Sequence, residues 1–327
     1  MSPSAKLPPG AKQRSTKLIV ALLALLTVVV VVLAAVALGQ RNSVQSQGIP
    51  TVAGSPPKAE PSPAITPSEE PSQAPEPTPT ETEEPGSQVI AAAVPDRFIT
   101  PVTDKVLVRS MVGSCQQPGT IELSNDSGKT WTQSSSLGAT GSAMHLRVIP
   151  TRANMIQLVA LDTDCEPQLV RTQDQGATWL DASDPTGAWF FNPEEPETVS
   201  GPDGPVPAPC SAVALSASAD NAAVLCDDST IITTTDKAAT WNEPISVPGA
   251  IALSFSDNDY VVGLANQNQC AGLQTVELAG STVSSPSSCL EAELLEGTVA
   301  VARTSNTVMA WFGNEFATSS DGGNKWN

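Results

Sequence analysis

Four octapeptides place a carboxylate at a fixed position, and they are the first part of the sequence to suggest chemistry. They read SNDSGKTW at 124–131, TQDQGATW at 172–179, TTDKAATW at 234–241 and SSDGGNKW at 319–326. A repeated acidic residue could serve as a general acid or base. The same spacing also suits a tight turn, in which an Asp accepts backbone N–H hydrogen bonds, a Gly adopts positive φ and a Trp buries its ring.

We interpret the octapeptides as structural turns that do no catalysis. The third copy has Ala238 where the others have Gly, so we expect that turn to be strained or to take another form. The residues assigned to the turns are Ser124, Asp126, Gly128, Trp131, Thr172, Asp174, Gly176, Trp179, Thr234, Asp236, Trp241, Ser319, Asp321, Gly323 and Trp326.

Few other residues could form a catalytic or metal site. A Ser–His–Asp hydrolase would have to use His145, the only histidine, and the sequence has no G-x-S-x-G nucleophile elbow. The six cysteines have no C-x-x-C spacing, which argues against a metal cluster. Three acidic pairs could bind Ca²⁺ but lack an Asp-rich loop with a terminal Glu, so we interpret them as solvated turns: Asp162/Asp164, Asp227/Asp228 and Asp257/Asp259. We predict no catalytic residue, no metal and no cofactor.

The most suggestive segment outside the octapeptides is the long connection at 187–210, GAWFFNPEEPETVSGPDGPVPAPC. Connections of this length are usually functional or disordered. One interpretation is a recognition loop, in which aromatic side chains supply contact area and acidic side chains face a basic partner. The other is that the three rings plug or flank the fold. The ligand-binding candidates are Trp189, Phe190, Phe191, Glu194 and Glu195.

Short apolar or alternating segments precede each octapeptide, and they predict strands. Examples are VLVRSMV at 106–112, MIQLVAL at 155–161 and TIITT at 230–234. A further run, with AIALSFS at 250–256 and LQTVELA at 273–279, has no octapeptide after it. No segment after residue 39 shows a convincing helical period. The exterior part is therefore predicted to be all-β, with about five repeats of three or four antiparallel strands, and six repeats as the alternative.

The pattern S/T-x-D-x-G-x-x-W, repeated through an all-β chain, resembles the Asp-box (BNR) repeat of sialidase-like β-propellers. The resemblance covers roughly residues 90–327 and implies a β-propeller of four-stranded blades. To close the ring, we predict that SQVIAAAVPD at 87–96 supplies the last strand of the final blade.

The resemblance also suggests sialidase activity, which needs an arginine cluster for the substrate carboxylate, a tyrosine nucleophile activated by a glutamate, and an acid/base aspartate. The only tyrosine is Tyr260, at the start of a predicted strand, and this is not where the family has its nucleophile. LRVIP at 146–150 resembles the family's arginine motif but follows the first octapeptide, so we place Arg147 on a strand surface. The catalytic set of the family does not carry over.

The six cysteines lie beyond the N-terminal apolar segment, in number and context suited to disulfides. Each falls at a predicted strand end, and all are expected at one end of the propeller. We predict the pairs Cys210–Cys226, Cys270–Cys289 and Cys115–Cys165.

The N-terminal third is organised as a membrane anchor followed by a stalk. Residues 1–17 form a basic tail, and the uncharged residues 18–39 are long enough for one transmembrane signal-anchor helix with a cytoplasmic N-terminus. The sequence AVA at 35–37 leaves cleavage as an alternative. Residues 40–86, rich in Pro, Glu, Ser and Thr, predict a disordered stalk, with a proline-rich ligand as the alternative. Residues 87–327 form the extracytoplasmic domain.

Charge and organisation favour binding over catalysis. Residues 96–327 hold 10 basic and 27 acidic side chains, a net charge of −17, so nucleic acid is excluded as a partner. We predict a single-pass protein of the cell membrane, not an enzyme, whose exterior propeller is a binding or assembly scaffold for a protein or glycan. The alternative is a divergent sialidase-like glycoside hydrolase at the cell surface.

Overall fold

The computed structural model describes residues 89–256, 258–305 and 307–327. Their regular structure is almost entirely β-strand, with one 3-10 helix at Ser135–Thr140, so the all-β prediction is confirmed. The predicted tail, transmembrane helix and stalk lie outside the described residues. No helix in the described ranges is long and apolar enough to cross a membrane.

The strands form six antiparallel sheets, named A to F in chain order. Sheet A contains β1 (Arg97–Pro101), β2 (Leu107–Gly113), β3 (Pro118–Ser124) and β4 (Thr132–Gln133). Sheet B contains β5 (Met144–Arg152), β6 (Met155–Leu161), β7 (Pro167–Thr172) and β8 (Leu180–Ser183). Sheet C contains β9 (Phe190–Phe191), β10 (Thr198–Gly201) and β11 (Gly204–Pro207).

The second half of the domain repeats the arrangement. Sheet D contains β12 (Ala212–Ser218), β13 (Asn221–Cys226), β14 (Thr230–Thr234) and β15 (Ile245–Ser246). Sheet E contains β16 (Ala250–Ser256), β17 (Asp259–Ala265), β18 (Gly272–Ala279), β19 (Thr282–Val283) and β20 (Leu290–Glu291). Sheet F contains β21 (Val299–Arg303), β22 (Val308–Phe312) and β23 (Glu315–Ser319).

The six sheets follow one another in a circular order. The first strand of each sheet contacts the first strand of the next, from β1 through β5, β9, β12, β16 and β21, and β21 contacts β1 again. Separate apolar clusters fill the seams between sheets. For example, Ile99 and Leu107 of sheet A pack with Ala300 and Met309 of sheet F. Second strands such as β22 are apolar because they lie inside their sheets with neighbouring sheets on both faces; β22 is buried at every residue.

The four octapeptides form the same hydrogen-bonded turn, as the first copy illustrates. The hydroxyl of Ser124 donates to Oδ1 of Asp126 at 2.8 Å and accepts from the backbone N–H of Gly128 at 2.8 Å. The Asp126 carboxylate also accepts from the backbone N–H of Thr130 at 2.9 Å. The equivalent bonds recur in the other copies, at Asp174, Asp236 and Asp321. We call these segments box turns, and the end of each sheet that carries them the box end.

The glycine position of the box turn is left-handed in every copy. Gly128, Gly176 and Gly323 have φ of 87°, 82° and 88°, and Ala238 has φ of 66°. Of the two expectations for Ala238, the first holds: the third turn keeps its form and places an alanine where L-residues are strained. In this turn the backbone N–H of Ala238 donates to the hydroxyl of Thr234 at 3.2 Å, whereas the equivalent bond in the other three turns measures 2.8 Å.

Each box tryptophan reaches across a seam to the sheet before its own. Trp179 of sheet B donates its indole N–H to Ser134 of sheet A at 2.9 Å. Trp326 of sheet F packs on sheet E and lies 3.4 Å from the carbonyl oxygen of Ser288. Trp241 joins the cluster between sheets C and D. Trp131 of sheet A meets Phe316 of sheet F edge-on, with centroids 5.4 Å apart.

The first box turn therefore closes the circle, and the predicted strand exchange is wrong for the described residues. Residues 89–96 contain no strand. Ile90 packs on the cluster between sheets E and F, and Asp96 donates its backbone N–H to Gly297 at 2.8 Å. The outer edge of β23 pairs instead with Asn327, through two backbone bonds to Thr318. A segment with three consecutive alanines, Ala91 to Ala93, has little side chain with which to define a strand register.

All three predicted disulfides are present. Cys115–Cys165 joins sheets A and B, and Cys210–Cys226 and Cys270–Cys289 each bridge segments within or next to one sheet. Their Cα–Cα distances are 5.5, 5.9 and 5.4 Å. In sheet A, Leu107 pairs with Ser124, so the β2–β3 turn that contains Cys115 lies at the end opposite the box turn. We call this the cysteine end.

Sheet C is a correction to the predicted organisation, because a long loop was expected at 187–210. Three strands of two to four residues lie there. Its outer strand, β11, contains Pro205 and Pro207, and prolines remove the N–H donors that would let an edge strand pair further. Sheets C and F have three strands rather than the four expected.

Candidate functional site

The first strands of the six sheets surround a cavity of about 870 Å³. Three of these strands, β5, β12 and β16, carry a register shift near their start, at Leu146, Val213 and Ile251. A bulge turns an additional side chain out of strict alternation, and all three of these residues line the cavity. The wall mixes apolar side chains such as Ile149 and Leu253 with polar side chains such as Ser216 and Ser254.

Arg147 is one of three arginines in the wall, and its guanidinium joins three sheets. It donates to the carbonyl oxygen of Trp189, which precedes β9, at 2.8 Å and to that of Ala217 in β12. The side chain is half-buried, and loss of hydration lowers its pKa to about 10. It has no salt bridge within the described residues. The prediction that Arg147 lies on a strand surface holds only in part, because the surface of β5 on which it lies is the wall of the central cavity.

The other two cavity arginines have carboxylate partners. Arg97 pairs with Asp96 at 2.7 Å and donates to the carbonyl oxygen of Gly313 at 2.6 Å. Arg303, at the box end of β21, pairs with Glu277. Asp104 is the carboxylate among the described residues that line the cavity, and it is exposed. A glycosidase of the usual type needs two carboxyl groups across its substrate.

His145 lies at the start of β5 and borders the same cavity. The side chain is 1% exposed, and its Nδ1 lies 2.6 Å from the hydroxyl of Ser110. Its Nε2 has no hydrogen-bond partner among the described residues. Burial lowers the pKa of His145 to about 4, because the charged imidazolium would lose its hydration.

The predicted recognition residues divide into buried and exposed groups. Trp189, Phe190 and Phe191 are 3%, 8% and 7% exposed, and the Trp189 indole donates to the carbonyl oxygen of Ala219 at 2.7 Å. These rings pack between sheets and offer little accessible contact area. Glu194 and Glu195 are exposed in the β9–β10 connection, at the cysteine end. A ligand contact by any of the five stays a prediction.

Tyr260 is placed where it cannot readily ionise. It is 6% exposed, its ring meets Phe255 edge-on at 5.2 Å, and burial raises its pKa above the ordinary value. A tyrosine nucleophile needs the opposite shift.

The box aspartates are the acids with the strongest hydrogen-bond support. The hydroxyl and N–H of Thr130, together with Ser124, hold the pKa of Asp126 at about 2, and Asp174 has the same value for the same reason. Each of these carboxylates accepts three hydrogen bonds within its own turn. Among the described ranges, no group of three or more His, Cys, Asp or Glu side chains is arranged to hold a metal.

Sequence reasoning did not identify Arg147 and Thr304 as cavity residues. Thr304 follows β21, and its hydroxyl is buried without a hydrogen-bond partner in the described part of the chain. A signal existed for Arg147: it lies between the apolar residues Leu146 and Val148 of β5, two residues from the only histidine.

No protein-family model and no curated protein matches the chain. Among solved structures, YCF48 bound to D1 peptide is 15% identical over 74% of this chain and 81% of that one, with a TM-score of 0.27. A GH74 xyloglucanase from Xanthomonas campestris is 15% identical, over 72% and 38%, with a TM-score of 0.28. The Hadza microbial sialidase Hz136 is 14% identical, over 72% and 57%, with a TM-score of 0.32.

This chain thus spans less than two thirds of the xyloglucanase and of the sialidase. Because the TM-scores are below 0.5, these similarities assign neither a family nor a function to it.

Proposed function

We propose that the chain is a non-catalytic binding protein of the cell surface, in which six sheets form the blades of an Asp-box β-propeller. Residues 18–39 anchor it in the membrane, 40–86 act as a stalk, and the propeller lies outside the cytoplasm. The anchor and the stalk are proposed from the sequence alone. The partner is a protein or a glycan that enters the central cavity.

The observation that carries this proposal is the composition of the cavity wall. The lining combines apolar side chains with three arginines, of which Arg147 is the one without a carboxylate partner, and its described part contains a single carboxylate, Asp104. Such a wall suits a ligand with an apolar body and one acceptor group. It does not supply the pair of carboxyl groups that a retaining or inverting glycosidase requires. The raised pKa of Tyr260 supports the same conclusion, because it disfavours the nucleophile of the sialidase alternative.

The test combines a glycoside screen with partner capture. The full-length protein in detergent is assayed with fluorogenic glycosides, including sialosides, and is cross-linked in its native membrane. We expect no turnover, and we expect a cross-linked partner that Leu253→Trp abolishes by filling the cavity. Leu180→Trp, at a residue that is 40% exposed on β8, is the matched control and should retain the partner. Turnover that Asp104→Asn removes would establish the hydrolase instead.

A further inference from the structure

Two of the six seams lack a box turn. The turns of sheets A, B, D and F fasten them to the sheets that precede them, whereas sheets C and E have none. Between B and C, Arg147 of sheet B donates to the carbonyl oxygen of Trp189, and both residues line the central cavity. In sheet E, β18 passes to β19 through a two-residue turn, since Ala279 pairs directly with Thr282. The seam between D and E therefore has no tryptophan to fill it.

A separate cavity of about 350 Å³ lies at this place, at the box end. Sheet D lines it with Thr233, Asn242 and Ile245, and sheet E with Tyr260 and Ser281. Asn242 is fixed in orientation, because its side-chain N–H donates to the hydroxyl of Thr233 at 2.9 Å and its backbone N–H to the carbonyl of the same residue at 2.8 Å. The amide oxygen of Asn242 is left as an acceptor. We call this cavity the D/E groove.

The D/E groove is equivalent to the surface that a box turn covers elsewhere. The second box turn packs on Leu123 and Ser134, which lie at the end of β3 and just after β4 of the preceding sheet. Thr233 and Asn242 hold the places of Leu123 and of Thr132, its partner across β3 and β4, and Pro244 holds the place of Ser134. In the occupied seam the indole N–H has a hydroxyl acceptor at 2.9 Å. Pro244 cannot supply such a hydroxyl, and a side-chain acceptor in the lining of the D/E groove is instead the amide oxygen of Asn242, two residues earlier.

We propose that the D/E groove is a docking site for a tryptophan-bearing turn of a partner protein. An indole has a large apolar body and one N–H donor, which matches a groove with Ile245 and Tyr260 on its walls and an amide acceptor on its rim. The charged side chain of the lining is Glu243, so the partner is neutral or basic at this point. The proposal rests on the binding role proposed above and names the class of partner, at a site distinct from the central cavity.

The chain provides its own probe, because its box turns are the segments that fill the other seams. A cyclised peptide with the sequence SNDSGKTW is titrated into the full-length protein, and the same peptide with alanine in place of tryptophan is the control. We expect the tryptophan peptide to bind at least about tenfold more tightly than the alanine peptide. Cellohexaose is the third probe, and it tests a saccharide as the alternative occupant.

Two variants locate the binding. Ser281→Trp places an indole in the groove from within, so it should abolish peptide binding and should raise the melting temperature. Asn314→Trp introduces the same side chain at an exposed turn at the cysteine end and should change neither. Asn242→Ala removes the acceptor and should weaken the peptide about tenfold; retained melting temperature shows that the variant is folded.

Three results overturn the proposal: equal or absent binding of the two peptides, peptide binding that survives Ser281→Trp, or cellohexaose binding that Ser281→Trp removes. None of them touches the binding role itself, because the cavity-filling variant Leu253→Trp tests that role at a different place. Loss of a partner in Leu253→Trp without peptide binding in the groove would leave the proposed function standing and remove only this inference.

Discussion

Protonation of His145 is expected to set the acid limit of this domain. The residue is 1% exposed, its Nδ1 lies 2.6 Å from the hydroxyl of Ser110, and its Nε2 has no hydrogen-bond partner among the described residues. In the unfolded chain its pKa returns to about 6.5, whereas burial holds it at about 4 in the folded state. As pH falls below 6.5 the unfolded state takes up a proton that the folded state refuses, so stability is lost between pH 6.5 and pH 4.

The size of this loss follows from the shift. A difference of about 2.5 pKa units, at 1.36 kcal/mol per unit, amounts to about 3 kcal/mol of unfolding free energy. No other histidine titrates in this window, since the chain has one. The box aspartates Asp126 and Asp174 have folded pKa values of about 2, so their contribution is lost only as pH falls below their unfolded pKa of about 3.9.

Urea unfolding of the full-length protein at pH 7.0, 5.5 and 4.5, followed by tryptophan fluorescence, measures this loss. His145→Gln keeps a partner for the Ser110 hydroxyl and cannot gain a charge. As the pH falls, the wild type should lose unfolding free energy relative to the variant, because only the wild type has an imidazole that the unfolded state protonates. This relative loss should reach about 3 kcal/mol near pH 4. If the two proteins lose stability in parallel across this range, the imidazole is not held neutral and the reasoning fails.

Three further substitutions test the seams. Gly128→Ala should destabilise the fold by about 3 kcal/mol or more in chemical denaturation, because φ is 87° and a Cβ would lie 2.6 Å from Cζ of Phe316; Gly138→Ala, which meets nothing within 4 Å, should be nearly neutral. Asp126→Ala should lower the melting temperature, and an unchanged melt would contradict the structural interpretation of the box. Arg109→Met removes an ion pair and two ring contacts of the guanidinium, at 4.2 and 5.0 Å, and should cost about 1–2 kcal/mol in the same denaturation assay, less at high salt.

The sequence predicted those features that a short pattern determines locally. The box turn is encoded in eight residues, and its hydrogen bonds lie within the turn itself. The disulfides followed from strand order, because each cysteine falls next to a strand end and an antiparallel sheet leaves few partners within reach. The all-β class followed from alternation in segments such as β2.

Features that depend on packing between distant segments were missed or predicted wrongly. Sheet C escaped notice because Phe190–Phe191 and Gly204–Pro207 are too short and too rich in Gly and Pro to show a period. The cavity position of Arg147 depends on a bulge at Leu146, which alternation alone does not reveal. The D/E groove arises because sheet E has no box turn. A missing octapeptide leaves no motif in the sequence that could point to the residues of the groove.

The seam between sheets A and F has a consequence for how the domain can be cut and rejoined. Trp131 packs on Phe316 and so joins the first sheet to the last, just as the box tryptophan Trp179 joins sheet B to sheet A, its neighbour in the chain. The order in which the chain visits the sheets is therefore not what holds the circle together. Breaking the chain at an exposed turn, such as Asp227–Asp228 between β13 and β14, leaves every seam intact. We therefore expect two fragments of the domain, produced separately, to associate with each other and to restore the circular arrangement of sheets.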